Sequence, residues 1–397
     1  MKKNIGYLVP EFPSQTHVFF WREINAMRQL GRSVHIFSTR HNHISKVKHS
    51  FAIQAAQECC YTFPPGLGAY LFVFMNLIWT FRAIGYALAL DAPLKEKLKT
   101  IALIPSTAIL VKHAKIHQIE HIHGHSCASV AHMLAMAERS KVLTYSLTLH
   151  GKLGVYGTCH KEKMANATFV SAVTRVNQKQ VQAIGFPLER IPVIWMGVDL
   201  NAFTIRDYKN DDGAPLRLIS VARLDKGKGH RFALEALARL NQSGVDFHYD
   251  IIGSGDYEPE IRDCIASLNL NERVTLHGTM GEEQVRERLR DANALLLTSV
   301  SDFEAAPVCV MEAMASGVPA ICSIVGGTPD MIDDGVDGFL VEQKNVDQIH
   351  DCIVRFANDR SLCERMGRAA RMSAEGKFCH IKQAEKIVAA IDNLSNG

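Results

Sequence analysis

The feature that most constrains the fold is the alternation of short apolar runs with helical patterns in the second half of the chain. Such alternation is typical of a parallel β-sheet covered by helices, because successive parallel strands need a long crossover connection. Helical patterns lie between the runs, for example at Arg231–Leu240 and Glu282–Arg290. The predicted strands are Leu216–Val221, Tyr249–Ile252, Val274–His277, Ala294–Leu297, Ala320–Ser323 and Phe339–Val341.

The first half repeats the alternation less regularly, and its predicted strands are Ile5–Val9, Val34–Ser38, His121–His123, Tyr145–Leu149, Thr168–Val173 and Pro192–Ile194. A chain of 397 residues exceeds the roughly 250–300 residues that one core supports. We therefore predict two doubly wound, Rossmann-like α/β domains, at residues 1–197 and 198–375, with a hinge near residues 197–213. Residues 376–397, with a last helix at Ile381–Leu394, are expected to pack back onto the first domain.

The cysteine pattern favours a reducing compartment. The ten cysteines are scattered, without a CxxC pair, which indicates free thiols more than a disulfide framework. The N-terminal apolar run, Ile5–Val9, is too short for a signal-peptide core and fits a first strand. We expect a cytoplasmic protein.

The charge is divided unevenly between the two halves. Residues 1–197 hold 22 Lys and Arg against 9 Asp and Glu, whereas the remainder holds 22 against 32. A basic half can attract nucleic acid, anionic lipid or an acidic substrate, or it can simply be solvated surface. Because no nucleic-acid motif accompanies the charge, we expect no nucleic-acid partner.

The segment Ala69–Leu90 is apolar apart from Asn76, Thr80 and Arg82. It is long enough to span a bilayer, although Arg82 interrupts it. Three interpretations stay open: a buried or domain-capping helix, an interfacial membrane helix that makes the protein peripheral on an anionic membrane surface, and a true span.

The stretch Asp302–Pro319 places two carboxylates around a predicted helix start. Pro307 suits the first helical position, and Gly317 suits a helix stop. Glu304 would then precede a helix N-terminus, where free amides attract phosphate, and Glu312 would lie within the helix. The amides can bind phosphate, and the two carboxylates on either side can bind hydroxyl groups. This combination suits a nucleotide sugar.

The stretch Ser220–Gly229 joins a predicted strand to a predicted helix. Ligands of open parallel sheets bind at the carboxyl ends of the strands, where this loop lies. Arg223 and Lys228 can neutralise a diphosphate there. A solvated basic turn is the alternative.

Other strand ends carry weaker signals. His277 and Gly278 end the third strand of the second half, where a nucleobase could lie against backbone atoms. Ile252–Asp256 is a glycine-rich turn but not a GxGxxG motif, so it does not indicate a dinucleotide site.

Histidines mark the strand ends of the first half. His150 follows a strand and could face a ligand, although a structural role is common for such a residue. His121, His123 and His125 alternate at strand spacing, and we interpret them as one strand face more than as a zinc site. No Asp-x-Asp for Mg²⁺ follows a strand, so we expect no metal and no cofactor, with Arg223 and Lys228 supplying positive charge.

At these residues the chain resembles the retaining GT4 glycosyltransferases, which have the GT-B fold of two Rossmann-like domains facing across a cleft. The resemblance implies that Arg223 and Lys228 hold the donor diphosphate and that the amides of Val308 and Cys309 meet a phosphate. It also implies that Glu304 contacts the transferred sugar, that Glu312 holds the ribose, and that His150 is the active-site histidine.

Three further segments resemble the exopolysaccharide branch with its colanic-acid-type transferases: Phe12–Thr16, Arg22-Glu23 with Gly31, and His121–His125. Ala305 and Asp330 depart from the usual Gly and Glu of the family, and Gln15 and His17 depart from the usual Ser-Glu-Thr-Phe run of the branch. The first two departures bear on the preference for a sugar, and the last two bear on the contacts with the acceptor.

The expected function is a metal-independent retaining transfer of a hexose from a UDP- or GDP-sugar to a glycan or lipid-linked saccharide, in exopolysaccharide or cell-surface polysaccharide biosynthesis. A sugar-nucleotide epimerase and a non-catalytic nucleotide-sugar-binding scaffold remain alternatives. The base, the sugar, the acceptor, the linkage and the oligomeric state stay open.

Overall fold

The computed structural model describes residues 4–208, 213–300 and 304–393. Three predicted features extend outside them: Asp302 and Phe303 of the acidic stretch, residues 209–212 of the hinge segment, and Leu394 at the end of the last helix. The chain divides into two compact units, Met1–Trp195 with Ile381–Gly397, and Met196–His380.

The first unit is a six-stranded sheet whose strands pair in parallel in the order β3-β2-β1-β4-β5-β6. The strands are β1 (Asn4–Glu11), β2 (Ser33–Arg40), β3 (Cys59–Tyr61), β4 (Ile119–His125), β5 (Thr144–Leu149) and β6 (Val170–Ala172). The helices are α1 (Val18–Gln29), α2 (Ala52–Glu58), α3 (Leu67–Met75), α4 (Leu77–Ala89), α5 (Leu94–Ile101), α6 (Ile104–His117), α7 (Ser129–Glu138), α8 (His160–Met164) and α9 (Arg175–Ala183).

The second unit is also a six-stranded parallel sheet, in the order β12-β11-β10-β7-β8-β9. Its strands are β7 (Leu216–Val221), β8 (Phe247–Ile252), β9 (Val274–Gly278), β10 (Ala294–Leu297), β11 (Ala320–Ser323) and β12 (Gly338–Val341). Its helices are α10 (His230–Gln242), α11 (Glu258–Ser267), α12 (Glu282–Asp291), α13 (Val308–Ala315), α14 (Thr328–Met331), α15 (Val346–Asn358) and α16 (Arg360–Lys377).

Both sheets have the doubly wound strand order, which confirms the predicted fold class. The order reverses between β1 and β4 in the first sheet and between β7 and β10 in the second. Ligands of such sheets bind at this switch point, outside the carboxyl ends of the two strands, because the following loops diverge there and leave a crevice. The fold therefore predicts ligand sites at the loops after β7 and β10 and at the loops after β1 and β4.

In the first half, one predicted strand was wrong and one strand was missed. Pro192–Ile194 forms no strand and makes only one isolated bridge, between Val193 and Ala172, because Pro192 has no N–H to donate to a ladder. Cys59–Tyr61 is a short edge strand that was not predicted. Its three residues are all partly exposed, and a run this short is at the lower end of the usual length of a strand.

The last helix, α17 (His380–Asn393), carries the chain back to the first unit. The side chain of Gln383 accepts a hydrogen bond from the amide of Trp195 at 3.2 Å. Near the end of the helix, Asp392 forms an ion pair with Arg32. These contacts join the last helix to the first unit.

The apolar segment predicted as one stretch forms two helices, α3 and α4, with a bend of 98° between them. Within the part of the chain that the structure describes, no single helix has the length and apolarity to cross a membrane. The bent pair meets that criterion only when its two helices are taken together.

Candidate functional site

The loop after β7 is held against the turn that follows β8. The amide of Leu224 donates to the carbonyl of Ser254 at 3.0 Å. Beside it, the exposed side chain of Arg223 lies with Nη2 at 3.3 Å from Oδ2 of Asp225. The backbone of this loop is thus fixed at the strand end, while its guanidinium stays accessible to a ligand.

Lys228 and Glu304 join the two loops of the switch point. Nζ of Lys228 lies 2.5 Å from Oε2 of Glu304, and Oγ of Ser299 donates to the same oxygen at 3.0 Å. The backbones also meet, because the amide of Val300 donates to the carbonyl of Gly227 at 2.8 Å. The structure therefore places a largely buried ammonium and carboxylate where a doubly wound sheet binds its ligand.

Two glycines allow the backbones to approach this closely. Gly229 has φ of +67°, and a Cβ there would lie 2.0 Å from the carbonyl oxygen of Thr298. Gly326 has φ of +56°, and its Cβ would lie 2.0 Å from the carbonyl oxygen of Glu304. Any other residue at Gly229 would push the loop of Lys228 away from the end of β10, and any other residue at Gly326 would push the loop after β11 away from Glu304.

Helix α13 begins one residue later than predicted. Pro307 is its N-cap, with an extended ψ of 117°, and not its first helical residue. The amide of Val310 already bonds back to Pro307, so Val308 and Cys309 occupy the positions whose N–H groups an α-helix leaves for a ligand. The helix ends at the predicted place, with Gly317 at φ of +70°.

The surroundings of the Cys309 thiol show which predicted residues come together. Burial, together with the charge of Glu304, raises the pKa of Cys309 to about 12, against the lowering effect of Lys228. The charge of Glu312, buried in α13, acts in the same direction as that of Glu304. Lys228, Glu304, Cys309 and Glu312 therefore form one cluster.

His277 lies apart from this cluster, at the end of β9. Its Nε2 is 2.5 Å from Oδ1 of Asp250 on β8, so a carboxylate of the neighbouring strand already holds the ring. The carbonyl of Gly278 accepts a hydrogen bond from the amide of Gly253 at 2.9 Å. These contacts fix the position of this strand end. Its contact with a nucleobase stays a prediction.

Sequence reasoning missed Ser299, which fixes the orientation of the Glu304 carboxylate. A signal was present, because Thr298 and Ser299 are polar residues directly after the apolar run of β10. Arg223 lies on the loop next to the cluster, and Val308 opens the helix above it.

In the first unit, two of the three alternating histidines, His121 and His123, form a hydrogen-bonded ladder with β5. His121 contacts Oγ1 of Thr144 and Oγ of Ser146, each at 2.8 Å. His123 contacts Ser146 at 2.7 Å and Thr148 at 2.8 Å. The hydroxyl groups of one strand thus satisfy the imidazoles of the next, in agreement with the interpretation as a strand face.

The ladder continues into a buried chain of side chains that ends at His150. Tyr7 donates to Oε1 of Glu23 at 2.9 Å, and Nε2 of His125 lies 3.2 Å from the same oxygen. Nδ1 of His125 is 2.8 Å from Nε2 of His150. Glu23 was not predicted to belong to this site, because its partners are remote in sequence.

Burial controls the charge of these hydrogen-bonded side chains. It raises the pKa of Glu23 to about 7, against the lowering effects of His123 and of the Tyr7 hydrogen bond. It lowers the pKa of His125 to about 3 and that of His150 well below the ordinary value. The contacting side chains of Glu23, His125 and His150 are therefore uncharged in weakly acidic solution. Glu23 is the first of them to ionise as the pH rises.

Glu23, His123 and His125 also lie close enough to be tested as a metal site, with one possible ligand atom of each within 4.8 Å of the others. Hydroxyl groups already contact both ring nitrogens of His123, and Tyr7 donates to Glu23. An ion bound by His123 would have to displace one of these hydroxyl groups, so we interpret the cluster as a hydrogen-bonded network.

The second half of the chain matches a known family. Residues 202–373 match the family described as glycosyl transferases group 1. Residues 202–373 form a group 1 glycosyl transferase domain. This domain contains the loop with Arg223 and Lys228 and the stretch with Glu304 and Glu312.

Two relatives connect this glycosyl transferase domain with exopolysaccharides. The colanic acid biosynthesis glycosyltransferase WcaL of Salmonella typhimurium is 25% identical over 411 residues, which cover 94% of this chain and 96% of that protein. The amylovoran biosynthesis glycosyltransferase AmsK of Erwinia amylovora is 34% identical over 210 residues, about half of each chain. The predicted resemblance to the colanic-acid-type branch is confirmed.

Solved structures show the same fold over the whole chain. HepE of Anabaena in complex with UDP has a TM-score of 0.74 at 17% identity and covers 98% of this chain and 100% of its own. Sucrose-phosphate synthase of Thermosynechococcus elongatus has a TM-score of 0.71 at 19% identity, covering 99% and 100%. The glycosyl transferase domain and the unit before it therefore have the GT-B fold.

Proposed function

We propose that the protein is a retaining GT4 hexosyltransferase that uses a UDP- or GDP-sugar and extends a glycan or lipid-linked saccharide in exopolysaccharide biosynthesis. The observation that carries the proposal is the Lys228–Glu304 pair, which joins the two loops of the switch point beside the first turn of α13. A cation for phosphate and a carboxylate for hydroxyl groups are the two features that a sugar diphosphate requires.

In this proposal the diphosphate binds to charges and amides that the fold already holds in place. Lys228 lies on the loop after β7, and Arg223 is accessible on the same loop. The amides of Val308 and Cys309 supply N–H groups, and the dipole of α13 adds positive potential. These groups carry the charge that a divalent metal would otherwise supply, so the proposed site is metal-independent.

The remaining roles follow from the positions of the polar groups. Glu304 is held by Ser299 and Lys228 and binds hydroxyl groups of the transferred hexose. Glu312 binds the ribose, and the strand end at His277 and Gly278 lies against the base. His150, in the first unit, contacts hydroxyl groups of the donor sugar or the acceptor.

The proposed reaction forms a bond between an acceptor hydroxyl oxygen and the anomeric carbon, and it breaks the bond from that carbon to the diphosphate. The departing phosphate oxygen takes the proton of the acceptor hydroxyl. Arg223 and Lys228 stabilise the charge that develops on the leaving group. Attack from the face that the leaving group vacates retains the anomeric configuration.

The configuration of the product tests this proposal. The purified protein is incubated with UDP- and GDP-hexoses and a panel of glycan and lipid-linked acceptors, and the anomeric linkage is read by NMR coupling constants. We expect the product to keep the configuration of the donor. A product of inverted configuration would contradict the retaining mechanism.

The same incubations separate the alternatives. An epimerase would convert the donor into an isomeric sugar nucleotide without any acceptor. A scaffold would bind the nucleotide sugar and turn over none of the acceptors. The HepE structures with UDP and with UDP-glucose support beginning with UDP-sugars.

A further inference from the structure

Helices α3 and α4 present an apolar surface that the rest of the first unit does not cover. Six large side chains of these two helices are between 59% and 88% exposed, and we call them the apolar corner: Leu67, Leu71, Phe74, Met75, Ile78 and Phe81. Large exposed apolar surface, especially with a polar rim, is typical of protein or membrane interaction sites.

The bend between the helices is built into the structure. Nδ2 of Asn76, at the junction, donates to the carbonyl of Phe72 at 2.8 Å and so satisfies the end of α3. Oγ1 of Thr80 donates to the carbonyl of Val73 at 2.8 Å. Side chains of the junction therefore hold the bend of 98° and keep both helices on one surface.

The opposite face of α4 is anchored in the core of the first unit. Nε1 of Trp79 donates to the carbonyl of Met136 at 2.9 Å, and the hydroxyl of Tyr86 lies 2.9 Å from Nδ1 of His132. Ala83 is fully buried between these contacts. If α4 straightened into a span with α3, these groups would lose their partners, so the geometry favours a helix pair that lies on a surface.

Three lysines lie against the helices of the apolar corner, and the acidic residues Asp91 and Glu96 lie beyond the end of α4. Residues 67–89 contain no acidic side chain. Nζ of Lys115 lies 3.2 Å from Oδ1 of Asn76 and 5.3 Å from the ring centre of Phe72, and Lys97 donates to the carbonyl of Leu88 at 2.8 Å. Lys112 borders Gly68. This basic rim matches the negative charge of anionic lipid headgroups.

We infer that the apolar corner and its basic rim form an interfacial docking surface for an anionic lipid bilayer. The apolar side chains enter the boundary between headgroups and acyl chains, while the lysines remain among the phosphates. Of the three interpretations open at the start, this selects the interfacial one. It deepens the proposed function, because it brings the enzyme to the surface on which a lipid-linked acceptor lies.

Vesicle sedimentation tests this surface without reference to transferase activity. The full-length protein is mixed with sucrose-loaded vesicles of phosphatidylcholine alone, or of phosphatidylcholine with about a quarter phosphatidylglycerol, and the bound fraction is measured. We expect binding to the anionic vesicles, with a several-fold loss between about 0.1 M and 0.5 M salt. Equal amounts in the supernatant with and without phosphatidylglycerol would overturn the inference.

A triple substitution tests the apolar corner itself. Phe74→Gln, Ile78→Gln and Phe81→Gln alter exposed side chains, so the fold should persist while the partition coefficient falls about tenfold or more. The matched control changes three exposed apolar residues elsewhere, Ile53→Gln, Val336→Gln and Met372→Gln, and should bind as the unaltered protein does. Equal binding of the two triple variants would overturn the inference.

Light scattering in the absence of lipid tests whether a second copy of the chain covers the corner. We expect the unaltered protein and the corner variant to have the same molar mass. A dimer that dissociates only in the corner variant would assign the surface to self-association and overturn the lipid assignment. Activity on a short soluble acceptor should be similar in both variants, so failure of docking would not be confused with failure of the proposed function.

Discussion

Replacing Lys228 with Ala should lower kcat/KM for the sugar-nucleotide donor by about 10²–10³. This is the usual cost of removing one preorganised charge from a site that stabilises a developing anion. Lys228 is mostly buried, and Glu304 and Ser299 hold its surroundings in place. The lost charge cannot be replaced by water without rearranging both loops of the switch point.

Lys226 offers a matched control for this experiment. It lies two residues away on the same loop, is exposed, and carries the same charge. We expect Lys226→Ala to retain kcat/KM within about threefold. Each variant is first compared with the unaltered protein by its thermal unfolding, because Lys228→Ala leaves Glu304 without its ammonium partner. If both variants are well folded and lose kcat/KM equally, the overall charge of the loop, and not the position of Lys228, would determine the activity.

The second large effect concerns Glu23, which should make the stability of the first unit fall as the pH rises from about 5 to 8. Its pKa is raised from 4.5 to about 7 by burial, so the folded state binds more protons than the unfolded state between these two values. Stability linked to this group is therefore present in acid and lost as the pH rises through 7. A shift of this size corresponds to about 3 kcal/mol.

The variant Glu23→Gln removes this ionisation. Its urea midpoint relative to the unaltered protein should be markedly higher at pH 8 than at pH 5. Both proteins keep Tyr7, His123 and His125, so the opposing acid-side effect of the buried histidines cancels in the comparison. Glu58→Gln is the control, because Glu58 is paired with Arg28, its pKa is lowered, and its effect should be flat over this range. A flat difference for Glu23→Gln would contradict the raised pKa.

The second unit was largely predictable because its strands are short, buried and strongly apolar. Leu216–Val221, Ala294–Leu297 and Ala320–Ser323 have the predicted bounds. The first unit was less predictable, since Cys59–Tyr61 is a partly exposed edge strand of three residues and Pro192–Ile194 is apolar without a ladder. Local patterns reveal buried strands, whereas edge pairing depends on the neighbouring strand.

The candidate site was predictable where its residues follow strand ends. Lys228 and Glu304 are 76 residues apart, yet both follow strands of a doubly wound sheet, so topology brings them together. Glu23 could not be found in this way. It lies in the middle of α1, and only the folded structure brings it to Tyr7 and His125. The bend at Asn76 was not predicted either, although Asn76 and Thr80, which hold it by bonding to Phe72 and Val73, had been noted as polar residues of the apolar segment.

Binding of nucleoside diphosphates is the most direct test of the central claim, that the loops after β7 and β10 hold a sugar diphosphate. The unaltered protein, Lys228→Ala and Lys226→Ala are screened by thermal shift against UDP, GDP, ADP and their sugars. One base should raise the melting temperature of the unaltered protein and of Lys226→Ala. A ligand at 100 times its Kd adds about 2.7 kcal/mol to stability, and Lys228→Ala should lose most of it. An unchanged melting temperature with every nucleotide, or an equal rise in Lys228→Ala, would contradict the account.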